Sequence, residues 1–176
     1  AAVRNEIGER LFHVLCEQMY HLQALHCDSH PGNFAFRPDG SLVIYDFGCV
    51  KRLNPLLVGE MKRLVKAALA NDYATVESAL RDLGIRTQIG DVPPEYYLEW
   101  IAILLAPLQD KTCDFGHSQV HEQVLKQIKS LMKYWDSFQP SAETMMVNRA
   151  IGGHYWNFVN LGVHMNLHKP LMVYLG

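Results

Sequence analysis

The feature that most constrains the fold is the stretch LHCDSHPGNFAFRPDGSLVIYDFGCV, residues 25–50. Two short apolar segments, NFAF and SLVIYDF, flank RPDGS, where Pro fixes φ, Asp caps a turn and Gly tolerates a positive φ. The pattern predicts a β-hairpin, with Asn33 just before the first strand and Asp46 at the end of the second. Because hairpin strands lie side by side, we expect these two side chains to face each other at its base.

A helix is predicted before the hairpin, over residues 5–26, because apolar residues recur there at helical spacing. The stripe consists of Ile7, Leu11, Val14, Leu15 and Leu22. The sequence after about residue 55 is also predicted to be helical. Asp72 is a predicted helix cap, Gly84 a predicted helix end, and Pro93 and Pro94 a predicted helix start.

Two further helices are predicted near residues 118–134 and 142–161, the second with a core-facing stripe. The stripe consists of Val147, Ile151, Tyr155 and Phe158, and we also expect Trp100, Trp135 and Trp156 in the core. The predicted fold class is therefore mainly α with a small β-hairpin. It forms a single domain over residues 1–176, in which the helical remainder spans 55–170.

Composition excludes several classes of protein. A chain of 176 residues that is 49% hydrophobic and 19% charged is globular, and its net charge of −2 argues against a nucleic-acid partner. The four cysteines never form a CxxC pair, which favours a reducing, intracellular compartment. The N-terminus AAVRNEIGER has no signal-peptide core and no initiator Met, so we expect a processed product or a fragment. The apolar segment YYLEWIAILLAP is too short to span a bilayer.

The polar residues of 25–50 suit a magnesium site. A carboxylate at the end of a buried strand, such as Asp46, is costly unless a cation compensates it. An amide oxygen from Asn33 and the Asp46 carboxylate are hard ligands of the kind that Mg²⁺ prefers. Asp28 would then have a free carboxylate to orient or deprotonate an attacking hydroxyl or water. Gly32 and Gly48 allow tight turns beside these residues.

The order and spacing of the motifs, HCDSHPGN followed by DFG thirteen residues after Asn33, resemble a kinase catalytic loop and metal motif. The closest resemblance is to the UbiB/AarF family of atypical kinases. It implies that Asp28 is the catalytic-loop Asp, that Asn33 and Asp46 are the metal ligands, and that His26 supports the DFG turn. His30 takes the place of a phosphate-contacting Lys.

The family resemblance implies an ATPase or atypical kinase that binds Mg²⁺ and ATP and supports isoprenoid-quinone (ubiquinone) biosynthesis. It also implies a cytoplasmic or organellar location, peripheral to a membrane, with the membrane surface or lipid-biosynthesis proteins as partners. Cys27 stands where kinases usually have Arg, and no APE motif follows. Both differences argue against control by activation-loop phosphorylation and against protein substrates.

Half of a kinase active site has no counterpart in the sequence. Only 25 residues precede His26, and they contain no glycine-rich loop, no strand Lys and no KxGQ motif. We therefore predict a kinase-like C-lobe without its N-lobe. Such a lobe would have little or no activity by itself and would expose apolar surface near the hairpin.

Three alternatives stay open. Aminoglycoside or choline phosphotransferases have a similar loop, although YDFGCVKRL favours the UbiB type. A non-catalytic, pseudokinase-like scaffold is also compatible. A zinc site of His26, Cys27 and His30 would leave Asn33 and Asp46 unexplained. A second DFG, at residues 114–116, has no loop upstream and is interpreted as a turn.

Overall fold

The computed structural model describes residues 2–176 as seven α-helices and three short antiparallel strand pairs. The helices are α1 (Ala2–Cys16), α2 (Pro55–Leu69), α3 (Tyr73–Asp82), α4 (Pro94–Leu104), α5 (Val120–Lys133), α6 (Ala142–Leu161) and α7 (His168–Leu175). The strands are β1 (Ala24–His26), β2 (Phe34–Phe36), β3 (Leu42–Ile44), β4 (Val50–Arg52), β5 (Cys113–Asp114) and β6 (His164–Met165). The prediction of a mainly helical fold with a small hairpin is confirmed.

The predicted first helix is confirmed only in part. α1 continues as one π-helical turn to His21, and Gln23 then has a φ of 50°, which turns the chain out of the helix. Ala24–His26 is a strand that pairs with β4, so the helix prediction is wrong there. Leu22, predicted on the buried stripe, is 63% exposed. The partner strand lies about 25 residues further along the chain, where local periodicity carries no information about it.

The predicted hairpin is confirmed. β2 and β3 pair with Phe34 opposite Ile44 and Phe36 opposite Leu42. In the turn, Asp39 Oδ1 accepts a hydrogen bond from the Ser41 amide at 2.8 Å, and Gly40 has a φ of 82°. The second strand ends at Ile44, so Asp46 lies just beyond it.

Predicted helix boundaries after residue 55 are confirmed. Asp72 caps α3 by accepting a hydrogen bond from the Thr75 amide at 3.1 Å, and Gly84 follows that helix with a φ of 70°. Pro94 begins α4. The pair β5–β6 was not predicted, because two-residue strands have no periodicity of their own.

Two groups of buried side chains form the interior. The larger group is built from α1, α6, α7 and the segment around β1 and β4, and the smaller one from α2, α3 and α4. Val147 and Phe158 of α6 are buried as predicted, whereas Ile151 is 40% exposed. The core prediction is wrong for Trp135 and Trp156, which are 68% and 47% exposed.

Apolar side chains are exposed around the hairpin, as predicted. Tyr45, Phe47 and Val50 are 51%, 63% and 42% exposed. Within residues 2–176, none of the helices combines the length and the apolar character needed to cross a membrane.

Candidate functional site

His26 connects the two motifs. It ends β1 and is 2% exposed, and its Nε2 lies 2.9 Å from the backbone oxygen of Asp46. Because a carbonyl oxygen only accepts, Nε2 must carry the proton. The ring also packs edge-on against Phe34 and Phe47. The histidine of the loop therefore contacts the backbone of the DFG turn directly.

Asp28 and Asn33 form a direct pair. The Asn33 side-chain amide donates to Asp28 Oδ2 at 2.8 Å and to the Asp28 backbone oxygen at 3.2 Å. A 3₁₀ turn over Pro31–Asn33 makes this possible by bringing the chain back on itself, and His30 Nδ1 accepts from the Gly32 amide at its start. The pairing uses the Asn33 nitrogen and leaves the Asn33 amide oxygen available.

Asp46 lies next to this pair. The Tyr45 amide donates to the Asn33 backbone oxygen at 2.9 Å, so the residue after Tyr45 stands at the hairpin base beside Asn33. Asp46 has a φ of 55°, a conformation that Asp tolerates better than most residues. Its Oδ1 accepts from the Gly48 amide at 3.1 Å, and its side chain is exposed.

The donor set fits magnesium better than zinc. Asn33 and Asp46 offer an amide oxygen and a carboxylate, and Asp28 keeps a second carboxylate oxygen. Cys27, by contrast, is buried, its Sγ donates to the Leu25 backbone oxygen at 3.3 Å, and burial raises the pKa of its thiol. A zinc ligand would be a thiolate. In the part of the chain that the structure describes, no group of three or more His, Cys, Asp or Glu side chains is arranged to hold a metal ion.

Helix α6 supports the loop from behind, which the sequence did not reveal. Ser29 donates through Oγ to the Ala150 backbone oxygen at 3.1 Å, and Asn157 donates to the Ser29 backbone oxygen at 2.9 Å. A Cβ on Gly153 would lie 2.5 Å from the Ser29 Cβ, so only glycine permits this approach. Arg149 Nη2 lies 4.0 Å from Asp28 Oδ1.

His154 of α6 is a second buried histidine beside the site. It is 1% exposed and packs against Phe34 at a centroid distance of 5.6 Å. Burial, with a smaller contribution from the charge of His26, lowers the pKa of His154 from 6.5 to about 4. It is therefore neutral at pH 7 and serves as packing.

The second DFG is a local structural feature. Asp114 ends β5, and Phe115 is buried in the interior at the start of a 3₁₀ turn that ends at His117. The Asp114 carboxylate contacts His117 at 2.8 Å and His164 at 3.2 Å, and chiefly the hydrogen bond from His117 lowers its pKa. The prediction of a turn is confirmed.

With both motifs located, the chain can be compared with known proteins. Residues 1–80 match the ABC1 atypical kinase-like domain. The matched segment contains the helix, the loop and the DFG turn, so the predicted resemblance is confirmed at the level of this family. The finer assignment to UbiB/AarF and to a C-lobe alone stays a prediction.

The ABC1 match is accompanied by similar curated proteins. An uncharacterized Synechocystis protein is 34% identical over 98 residues, which cover 55% of this chain and 17% of that protein. A putative ABC transporter of Paramecium bursaria Chlorella virus 1 is 30% identical over 97 residues, covering 52% and 20% of the two chains. The chain thus spans about a fifth of each relative.

A solved structure shares the fold. The complex of Rv3197 with erythromycin from Mycobacterium tuberculosis superposes with a TM-score of 0.74, covering 94% of this chain and 42% of that one. At 22% identity, the likeness shows a common fold for the ABC1-matched segment and for the helices that follow it.

Proposed function

We propose that residues 25–50 are the metal-binding and catalytic-loop half of an ATP-dependent atypical kinase or ATPase of the UbiB type, one that supports isoprenoid-quinone biosynthesis. The observation that carries this proposal is the hydrogen bond between His26 and the Asp46 backbone, which joins the loop that holds the Asn33–Asp28 pair to the DFG turn. A DFG tripeptide that occurred by chance would not be expected to form a hydrogen bond with a loop histidine twenty residues earlier.

In this proposal each residue of the site has a stated role. The Asn33 amide oxygen and the Asp46 carboxylate hold Mg²⁺, which when bound neutralises charge on the phosphate oxygens. Asp28 orients the attacking hydroxyl or water and takes its proton. His26 keeps the Asp46 backbone in its turn, Gly48 lets the turn close, and His30, by resemblance, takes the place of a phosphate-contacting Lys.

We further propose that the remaining half of the site lies outside these residues. The parts that cover the phosphates and bind adenine in kinases have no counterpart in the 176 residues. Since positioning supplies much of the rate of phosphoryl transfer, the chain alone should bind metal weakly and hydrolyse little or no ATP. By family resemblance, its partners are a nucleotide and a membrane surface or lipid-biosynthesis proteins in a reducing compartment.

Manganese, a paramagnetic substitute for magnesium, tests the proposed ligands in the chain as it is. Mn²⁺ should broaden the amide NMR signals of residues 33 and 46–48 first, and Asp46→Asn should abolish this selectivity. Asp39→Asn removes an exposed carboxylate of the same hairpin and is the matched control. Broadening that is unaffected by Asp46→Asn would contradict the metal-ligand assignment.

An ATPase assay tests the proposed inactivity. We expect no Mg²⁺-dependent hydrolysis above background by the purified chain. Hydrolysis that disappears in Asp46→Asn would disprove the inactivity and at the same time support the role of Asp46.

A further inference from the structure

A cleft opens on the side of Asp28 that faces away from the proposed metal ligands. Its lining comes from residues 27–31 on one wall and from α6 on the other, and neither Asn33 nor Asp46 contributes. The two carboxylate oxygens of Asp28 face these two sides separately. Oδ2 accepts from Asn33, whereas Oδ1 faces Arg149 of the cleft. Asp28 therefore lies between two compartments, one for metal and one on the opposite side.

The α6 wall of the cleft is held rigidly. The contact of Gly153 with Ser29 and the two hydrogen bonds of Ser29 with α6 fix the distance between the walls. Trp156, which is 47% exposed, packs against His121 of α5 at a centroid distance of 5.1 Å. Its exposed indole offers a flat surface to a ligand, and ordering an indole costs little entropy because only two side-chain torsions are involved.

The cleft contains one exposed cation, Arg149, beside the Asp28 carboxylate. The Arg149 side chain is 62% exposed, and its contact with Asp28 at 4.0 Å is too long for a hydrogen bond. A guanidinium with unused donors is a strong binder of carboxylate or phosphate. Arg149 and Trp156 are seven residues apart on one face of α6, which corresponds to about 10 Å along the helix.

We propose that this cleft binds the phosphoryl acceptor and that the acceptor is a hydroxyl-bearing organic anion with a flat ring. Its anionic group pairs with Arg149, its ring lies against Trp156, and its hydroxyl approaches Asp28 Oδ1. In the transfer, the acceptor oxygen bonds to the terminal phosphorus of ATP. The bond from that phosphorus to the bridging oxygen breaks, ADP leaves, and the hydroxyl proton passes to Asp28. The assignment of this ligand as the phosphoryl acceptor rests on the proposed function, whereas the cleft as a binding site for such an anion does not.

The test uses phenylacetate as an anionic ring probe and phenylacetamide as its neutral isostere, without Mg²⁺ or ATP. Binding is followed through the indole N–H signals of Trp100, Trp135 and Trp156 in ¹⁵N NMR spectra, assigned with Trp→Phe variants. We expect phenylacetate to shift the Trp156 signal alone and to bind about tenfold more tightly than the amide, since a charge-assisted pair is worth about that factor.

Variants separate the cleft from the rest of the surface. Arg149→Gln should weaken phenylacetate binding by about tenfold, because it removes the charge, and Arg37→Gln, at an exposed arginine of the hairpin turn, should not. Equal binding of acid and amide, an unchanged affinity in Arg149→Gln, or equal shifts at Trp135 would each overturn the proposal.

Two further outcomes keep this proposal distinct from the proposed function. Displacement of phenylacetate by inorganic triphosphate would assign Arg149 to the nucleotide phosphates and would overturn the acceptor assignment. Selective phenylacetate binding together with a failed manganese test would leave the cleft as an organic-anion site and remove the kinase function.

Discussion

The motif region, residues 25–50, and the loop around Arg86 both place polar groups against the interior, but they satisfy them differently. In the motif region the Asp28 and Asp46 carboxylates are half-exposed or exposed, and each keeps an oxygen without a hydrogen bond. Arg86 is 3% exposed, and its guanidinium is surrounded by acceptors. These acceptors are the backbone oxygens of Thr87, Ile89, Gly90 and Ser137 and the hydroxyl of Tyr97.

The two regions differ in how many of their polar groups remain free to bind a ligand. A buried charge whose every nitrogen already donates within the protein, such as Arg86, is not free for a ligand and connects two loops. Exposed carboxylates that are oriented by neighbours but not saturated, as in the motif region, can still bind a cation. The oxygens left without hydrogen bonds, more than burial, therefore distinguish the proposed functional region from the rest of the chain.

Removing the Arg86 side chain should have the largest effect. Arg86→Met removes the guanidinium donors of four carbonyl oxygens and of the Tyr97 hydroxyl, so we expect a loss of about 3–5 kcal/mol in the free energy of unfolding. Urea denaturation at pH 7 measures it, with the exposed Arg37→Met as control. A loss below about 1 kcal/mol would mean that water replaces the guanidinium and that the contrast between the two regions is wrong.

Acid should weaken the packing behind the motif region. His154 has a pKa of about 4 when folded and 6.5 as its ordinary value, so the unfolded chain binds the proton more readily. Its contribution is complete above pH 6.5 and is lost as the pH falls towards 4, by about 3 kcal/mol in total. Unfolding curves at pH 7 and pH 4.5 measure it. In His154→Leu the difference between the two pH values should shrink, and an equal difference would refute the assignment.

Two adjacent glycines of α6 should respond in opposite directions. Gly153→Ala forces a Cβ into Ser29, and we expect a loss of about 1–3 kcal/mol in the free energy of unfolding. The Cβ of Gly152→Ala meets no atom within 4 Å. The free energy of unfolding should therefore rise by roughly 0.5–1 kcal/mol, because alanine has less conformational entropy than glycine in the unfolded chain. Combining Gly153→Ala with Ser29→Gly should recover part of the loss. Equal effects of the two alanines would argue against a tight contact between α6 and the loop.

The smallest effect on stability is expected at His26. His26→Leu removes one hydrogen bond to the Asp46 backbone, which is worth about 1 kcal/mol in thermal or urea unfolding. The backbone should respond more than the stability does. The coupling constant between the Asp46 amide and Hα protons reports φ, and it should move away from the value for a φ of 55°. An unchanged coupling constant would show that the turn at Asp46 forms without His26 and that the two motifs are independent.

Much of the fold was predictable where the signal is local. Turn residues and caps act within a few positions of themselves, as Asp39 and Asp72 do, so the hairpin and α3 were predicted correctly. The exposure of Trp135 and Trp156 was not predictable, because the side of a helix or turn that faces the interior depends on elements far along the chain. The same reason explains why α1 was predicted to continue through the strand Ala24–His26.

The sequence by itself determined the order and spacing of His26, Asp28, Asn33 and Asp46, and with them the ABC1 resemblance and the type of site that we propose. These residues are joined by a hairpin and a short turn, whose geometry depends on nearby residues alone. The tertiary structure decided how the site is supported and what lies on its other side. Ser29 meets Ala150, Gly153 and Asn157 across more than 120 positions, and such contacts arise only when α6 packs against the loop.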